Sequence, residues 1–302
     1  MSGRQTPDRA RARRALSDGV RFAKAGRLER AARAFTRAEA LGTEHGDAAF
    51  ADRARVFRIA VEMELGATAG QAAILQQVLL RSHDPETCFY AAYNTARCYD
   101  LERSYRKATF YARQALRWAA ASGRDDSAAM AHNLLGNLNL IECQFEEARD
   151  RYELALGLMP SQPSIERGLV LDNLGYCRLV LGELAAGFSL LYASLRMLSR
   201  LRAIDLRPRP RLSLAFGYLE IGRFEHAARH ARAALEEARQ AHDETSVKNA
   251  LYLLGQTYNL EGDEATARSY FCELQRSFYP ENGAIPDFLL AIDVRRIIHL
   301  KA

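Results

Sequence analysis

One spacing constrains this chain more than anything else in it. Positions held by glycine or alanine in six of seven cases recur about every 40 residues, at Gly19, Ile59, Ala96, Gly136, Gly175, Ala215 and Gly255. Seven residues after each comes Gly26, Gly66, Arg103, Cys143, Gly182, Gly222 or Gly262, where glycine suits the left-handed turn that ends a helix. Two further series follow in step, Ala31, Gln71, Ala108, Ala148, Gly187, Ala227, Ala267 and Ala38, Val78, Ala115, Ala155, Ser194, Ala234, Leu274. The stretch Leu134–Pro160 shows the unit most fully, with Leu135, Gly136, Phe145, Ala148, Tyr152, Ala155 and Pro160. Such offsets fit two antiparallel helices. Glycine on the first admits a close neighbour, and small residues seven apart on the second keep the facing surface narrow around one aromatic ring. Over 302 residues this favours one long array over two unrelated domains.

Helix-start chemistry sits eleven or twelve residues before the phase position in five units, at Asp47, Asp84, Asp125, Ser164 and Asp243, each read as an N-cap. Asp84-Pro85-Glu86 is the clearest, joining an acceptor side chain, a first-turn proline and an acid at the positive helix end. Pro160, Pro163 and the run Arg207-Pro208-Arg209-Pro210 mark breaks, the last as a stiff connection between units. The second unit is the degenerate one. After Tyr279–Gly283, residues Asp287 to Leu300 predict a last amphipathic helix. There Phe288, Leu289, Ile292, Ile297 and Ile298 cover the open end of the stack while Arg295, Arg296 and Lys301 stay in water.

In these positions the chain resembles the tetratricopeptide-repeat (TPR) family over roughly residues 12–300. The match rests on Leu135, Gly136, Ala148, Tyr152, Ala155 and Pro160, on Gly19, Ala31, Phe35 and Ala38, and on Gly255, Ala267 and Phe271. The family period is about 34 residues; the longer period here is similar to that of kinesin light chains and of bacterial peptide-sensing regulators. HEAT repeats share the period but not these glycine and alanine positions. The resemblance implies an all-α, right-handed superhelical solenoid of about seven helix-turn-helix repeats plus a C-terminal capping helix. Residues 1–11 are then a basic, flexible N-terminus, 12–283 the repeats and 284–302 the cap. A regulator of the peptide-sensing kind carries a helix-turn-helix ahead of its repeats, and a first repeat starting near Ala12 leaves no room for one.

The resemblance also implies that first helices line a concave groove, with contact positions two residues before the phase position and one after it. These are Asn94 and Arg97, Leu134 and Asn137, Asn173 and Tyr176, Ser213 and Phe216, Leu253 and Gln256. An Asn amide offers both donor and acceptor to the backbone of an extended peptide, each bond contributing about 0.5–1.5 kcal/mol. Tyr176, Phe216 and Tyr258 would add pocket contacts. The alternative is that Asn94 and Asn173 bridge helices as structural amides. Asn94, Arg97, Asn137, Asn173, Tyr176, Phe216, Gln256 and Tyr258 are thus the candidate partner-binding residues. The basic and Asn clamp by which some family members hold a terminal carboxylate is not matched in the first repeat, where Ser17 and Val20 stand.

Charge and motifs bound the chemistry. Net charge is +5, yet residues 1–33 alone hold ten Arg or Lys against Asp8, Asp18 and Glu29, so the remainder is slightly acidic. Arg11, Arg14, Arg21 and Lys24 recur near helical spacing. They read first as a solvated helix face, then as a protein contact, and last as a nucleic-acid contact. The five cysteines form no CxxC pair, and Cys98 and Cys177 fall where small buried side chains pack. His226 and His230 lie at i, i+4 among arginines with no third ligand, which points to packing or solvation rather than a metal. Cys98 and His132 have no base, orienting carboxylate or oxyanion site marked beside them, and no phosphate loop, HExxH or GxSxG occurs. No catalytic residue, metal or cofactor is expected. No stretch has the length of uncharged apolar residues that a membrane helix needs, and the start lacks a secretory core, so a cytoplasmic location is expected. The Arg and Ala bias suggests a bacterial source. The function expected is a non-catalytic adaptor or sensor that binds a peptide or partner segment in the groove. The alternatives are a scaffold or oligomerisation protein using the convex face or terminal repeats, and a regulator contacting nucleic acid through the basic N-terminus.

Overall fold

A computed structural model of the chain describes residues 7–293 and 300–301. Among them the secondary structure is entirely helical. The order is α1 (Pro7–Lys24), α2 (Leu28–Glu44), α3 (Ala48–Glu64), α4 (Gln71–Arg81), α5 (Pro85–Leu101), α6 (Tyr105–Ser122), α7 (Asp125–Ile141), α8 (Phe145–Leu158), α9 (Ile165–Val180), α10 (Leu184–Arg200), a 3-10 turn (Ile204–Leu206), α11 (Pro208–Glu220), α12 (Phe224–Gln240), α13 (Glu244–Glu261), α14 (Glu264–Phe278) and α15 (Ile285–Ala291). The chain divides into two compact units, Met1–Leu138 and Asn139–Ala302.

The elbow between the helices of each pair follows a backbone rule that holds beyond the glycines. Gly26, Gly66, Gly182, Gly222 and Gly262 have φ between 67° and 93°, and Arg103 and Cys143, at the same place in their units, have φ of 56° and 58°. A side chain in that region costs about 1–2 kcal/mol, partly offset by glycine's greater freedom when unfolded. Both side chains are exposed. Arg103→Gly and Cys143→Gly are therefore each expected to stabilise the protein by about 0.5–1 kcal/mol in thermal melting.

Four of the expected caps form. The side chains of Asp47, Asp84, Ser164 and Asp243 accept from the backbone N–H of Phe50, Thr87, Arg167 and Ser246 at 3.1 Å. Asp125 is instead the first residue of α7, one place inside the cap. Asp263 caps α14 by accepting from Thr266 N–H at 3.0 Å. The Arg-Pro run is not a free-standing connection: Pro208 and Pro210 are buried in the first turn of α11, where a missing N–H costs nothing.

In the first unit α1 packs on α2, α2 on α3, and α5 on α6, while α3 and α5 lie side by side. Phe35 fills the space over Gly19, where an added Cβ would lie 2.5 Å from its ring. The degenerate second repeat holds an ionic network. Glu39 pairs with Arg55 at 2.7 Å and Arg58 at 2.8 Å, and the buried Asp52 pairs with Arg55 at 3.0 Å and with Arg81. The second helix, α4, has only 11 residues, and its Ala72, Leu75 and Val78 pack with Val56, Ile59 and Met63 of α3 in one apolar cluster.

In the second unit the first helices α9, α11 and α13 lie side by side, each backed by its partner α10, α12 or α14. One apolar cluster runs through it, including Tyr152, Leu174, Tyr176, Leu219, Leu251, Leu254 and Phe271. Gly175 and Gly187 bring the backbones of α9 and α10 together, since a Cβ on either would meet the other's carbonyl oxygen at about 3 Å. Gly255 works differently and makes room for the Phe271 ring. The last helix ends earlier than the sequence suggests, at Ala291, and Ile292 is extended. Leu289 is buried, but Phe288 and Ile292 are exposed. The expected cap residues Arg295, Arg296, Ile297 and Ile298 lie outside the described residues.

Candidate functional site

Ser164 starts α9, and the helical period then places Asp172, Asn173 and Tyr176 within about one turn of one another. Residues 300 and 301 lie against that turn. The backbone N–H of Leu300 donates to the Tyr176 hydroxyl at 3.2 Å, and its carbonyl accepts from Asn249 Nδ2 of α13 at 3.2 Å. Both main-chain polar groups of one residue are thus bound by side chains of two different first helices. Its side chain packs on the apolar cluster. The next residue, Lys301, directs Nζ to Asp172 Oδ2 at 2.6 Å and donates to Asn173 Oδ1 at 3.0 Å, and its ammonium lies 5.4 Å from the centre of the Tyr176 ring. Asp172 Oδ1 accepts from the buried Ser213 hydroxyl of α11 at 2.8 Å. Burial lowers the Lys301 pKa, and the Asp172 carboxylate opposes that shift. Burial also raises the Tyr176 hydroxyl, which stays protonated at ordinary pH. Tyr176 rests against Phe216, ring centres 5.4 Å apart. Side chains of α9 and α13 therefore bind both main-chain groups of Leu300, which lies in a turn, and α9 binds the cation of the residue that follows.

No protein-family model matches the chain, and no curated protein is similar to it in sequence. Solved structures with low sequence identity share its architecture. The apo form of RapI matches with a TM-score of 0.65 at 12% identity, over 88% of this chain and 76% of its own. PilW, a widely conserved type IV pilus biogenesis factor, gives 0.61 at 18% identity, over 79% and 98%. A tetratricopeptide repeat protein from Parabacteroides merdae ATCC 43184 gives 0.54 at 14% identity, over 93% and 98%. The fold is that of the TPR proteins.

The remaining expected groove residues are distributed along the TPR helices. Asn94 on α5 is buried, and its Nδ2 finds no acceptor among the described residues. Arg97 pairs with Glu64. Asn137 on α7 is half-buried. Gln256 on α13 is fully buried, with neither amide atom hydrogen-bonded among the described residues. Tyr258 is half-buried, stacks on Tyr270 at 5.8 Å and carries the Arg232 guanidinium over its ring. Asn173, Tyr176 and Phe216 come together at the Leu300–Lys301 seat, which Asn249 and Asp172 complete. Each lies one helical turn before an expected contact position, Asn249 four residues before Leu253 and Asp172 four before Tyr176, and that periodicity was the available signal. Lys301, expected in water, is instead paired with Asp172, because a buried carboxylate draws a cation inward.

Other candidates resolve into packing. His230 is buried, stacked on Tyr218 at 5.6 Å, with Nε2 3.3 Å from the Tyr192 hydroxyl; that hydroxyl lies 2.8 Å from that of Tyr218. Cys88, Cys98 and Cys177 are buried free thiols, and burial pushes Cys98 up to about 11. Cys98 Sγ lies 3.6 Å from Met63 Sδ. In the first unit Arg11, Arg14, Arg30, Arg33 and Arg37 line one open cleft with Asp18 and Phe22. No helix among the described residues is long and apolar enough to cross a membrane.

Proposed function

We propose that this protein is a non-catalytic interaction module that holds an extended segment of a partner protein across α9, α11 and α13. One observation carries the reading: the N–H and C=O of Leu300 are both bound by side chains from separate first helices, so the face holds a main chain without depending on one particular side chain. The TPR fold supports it, since stacked helix pairs present extended binding surfaces. A photo-crosslinker at Asn249, compared with one at the exposed Glu236 of α12, tests it in the native host. Crosslinks from position 249 should define a partner segment. A synthetic peptide of that segment should bind the Tyr176→Phe/Asn249→Ala double variant about tenfold more weakly, the loss expected for two main-chain hydrogen bonds. Crosslinks from position 236 alone would favour a scaffold acting through the second helices and overturn the groove reading.

The five arginines lining the α1–α2 cleft favour a second reading, contact with a polyanion such as nucleic acid. Binding to single- or double-stranded DNA that weakens steeply with salt and disappears in Arg30→Gln/Arg33→Gln/Arg37→Gln would support it. Absence of binding at low salt would remove it.

A further inference from the structure

Resting on that reading of the face, we propose that Asp172 forms the base of a lysine pocket. The partner segment would then be one in which an apolar residue precedes a lysine, and it would compete with the chain's own Leu300–Lys301 for the seat.

The argument begins with where the carboxylate stands. Asp172 lies three residues before the phase position of its repeat, a place that is apolar or uncharged in the other six units. Its side chain is 1% exposed. A buried carboxylate is costly unless it is both hydrogen-bonded and matched by a cation. Ser213 meets the first requirement at Oδ1, and among the described residues Lys301 meets the second, at Oδ2.

The groups around the seat select among cations. Ser213 donates to Asp172 Oδ1, and the bound cation meets Oδ2. A compact ammonium with three donors fits the groups there: Asp172 Oδ2, Asn173 Oδ1 and the face of Tyr176. The residue ahead of the lysine reaches the apolar cluster, which sets its class.

Because Leu300–Lys301 is tethered to the seat it occupies, its effective concentration there is of millimolar order. A separate segment therefore binds well only when the tethered one is weakened or when its own contacts extend beyond the dipeptide.

The test uses the full chain and a labelled synthetic peptide of residues 287–302. The peptide should bind the Lys301→Glu chain at least about tenfold more tightly than the unaltered chain. On the Lys301→Glu chain, peptides with norleucine or arginine in place of the lysine should bind at least about tenfold more weakly than the lysine peptide. Adding Asp172→Asn, which keeps an acceptor for Ser213, should impose the same loss. Lys301→Gln replaces Lys301→Glu if the latter does not melt cooperatively. Equal affinity for the lysine and norleucine peptides would overturn the pocket while leaving the face as a peptide site. Equal affinity of the two chains would overturn the competition. No binding of any version to the well-folded variant would overturn the pocket together with the reading of the face.

Discussion

Phe271→Ala is expected to destabilise the second unit by about 3–5 kcal/mol, the range for removing an enclosed aromatic side chain. Phe271 is fully buried on α14, and its ring occupies the space that Gly255 leaves on α13. The converse change belongs to the same prediction. A Cβ at position 255 would lie 2.3 Å from Phe271 Cε1, closer than any real contact, so Gly255→Ala forces the ring or the helix aside at about 1–3 kcal/mol. Gly255→Ala/Phe271→Leu should then be more stable than the sum of its single changes allows, because the smaller side chain vacates the volume the methyl group needs. Denaturant unfolding followed by circular dichroism measures Phe271→Ala, Gly255→Ala, Phe271→Leu and the double variant. Strict additivity would show that glycine and ring do not share that space.

Acid should weaken the protein through His230 by about 3 kcal/mol, from its pKa of about 4 in the fold against about 6.5 in the unfolded chain. Burial is the main cause, and Arg229, Arg211 and His226 add to it by disfavouring a further positive charge. The aromatic surroundings, Tyr192 and Tyr218, supply no compensating anion. The sign follows from which state takes the proton more readily. Above about pH 6.5 both states are neutral and the stability is fully present; as the pH falls towards 4 the unfolded chain binds a proton that the folded chain resists. His230→Phe keeps a ring against Tyr218 and removes the titration. Its stability should therefore fall less than that of the unaltered chain between pH 6.5 and 4, and parallel profiles would count against this account.

The scaffold was legible because it rests on backbone geometry and residue size. Glycine at the elbows and phase positions, alanine on the second helices and Asp or Ser at helix starts each have one local physical reason. Arg103 and Cys143 show where that reading stops, since nothing in an arginine or a cysteine announces a positive φ. The Leu300–Lys301 seat was legible only in part. Asn173 and Tyr176 fell on sampled positions, but Asn249 lies a turn away on the same stripe, and Asp172 gains its meaning only when Lys301 arrives from 129 positions further along. Long-range pairing of that kind leaves no periodic trace. His230 reads from its arginine neighbours as packed or solvated, whereas the stacked Tyr218 and nearby Tyr192, which make it a packed ring, emerge only when α10, α11 and α12 are seen together.

The elbows carry one more consequence, for how such a chain can change in length. In every unit seven residues separate the phase position from the elbow, five more lead to the first small residue of the second helix, and seven more to the next, even in the second unit, where they run Ile59, Gly66, Gln71, Val78. The three residues by which that unit falls short of 40 are missing only after Val78, where Asp84 follows in six steps while Asp47 follows Ala38 in nine. An insertion before that point would turn the second helix's inward stripe by about 100° per residue and expose it. Beyond it, the helix merely ends sooner. Length drift is therefore confined to the stretch between the last small residue of one second helix and the phase position of the next unit, so evolution can trim or extend a unit there without disturbing the faces that meet.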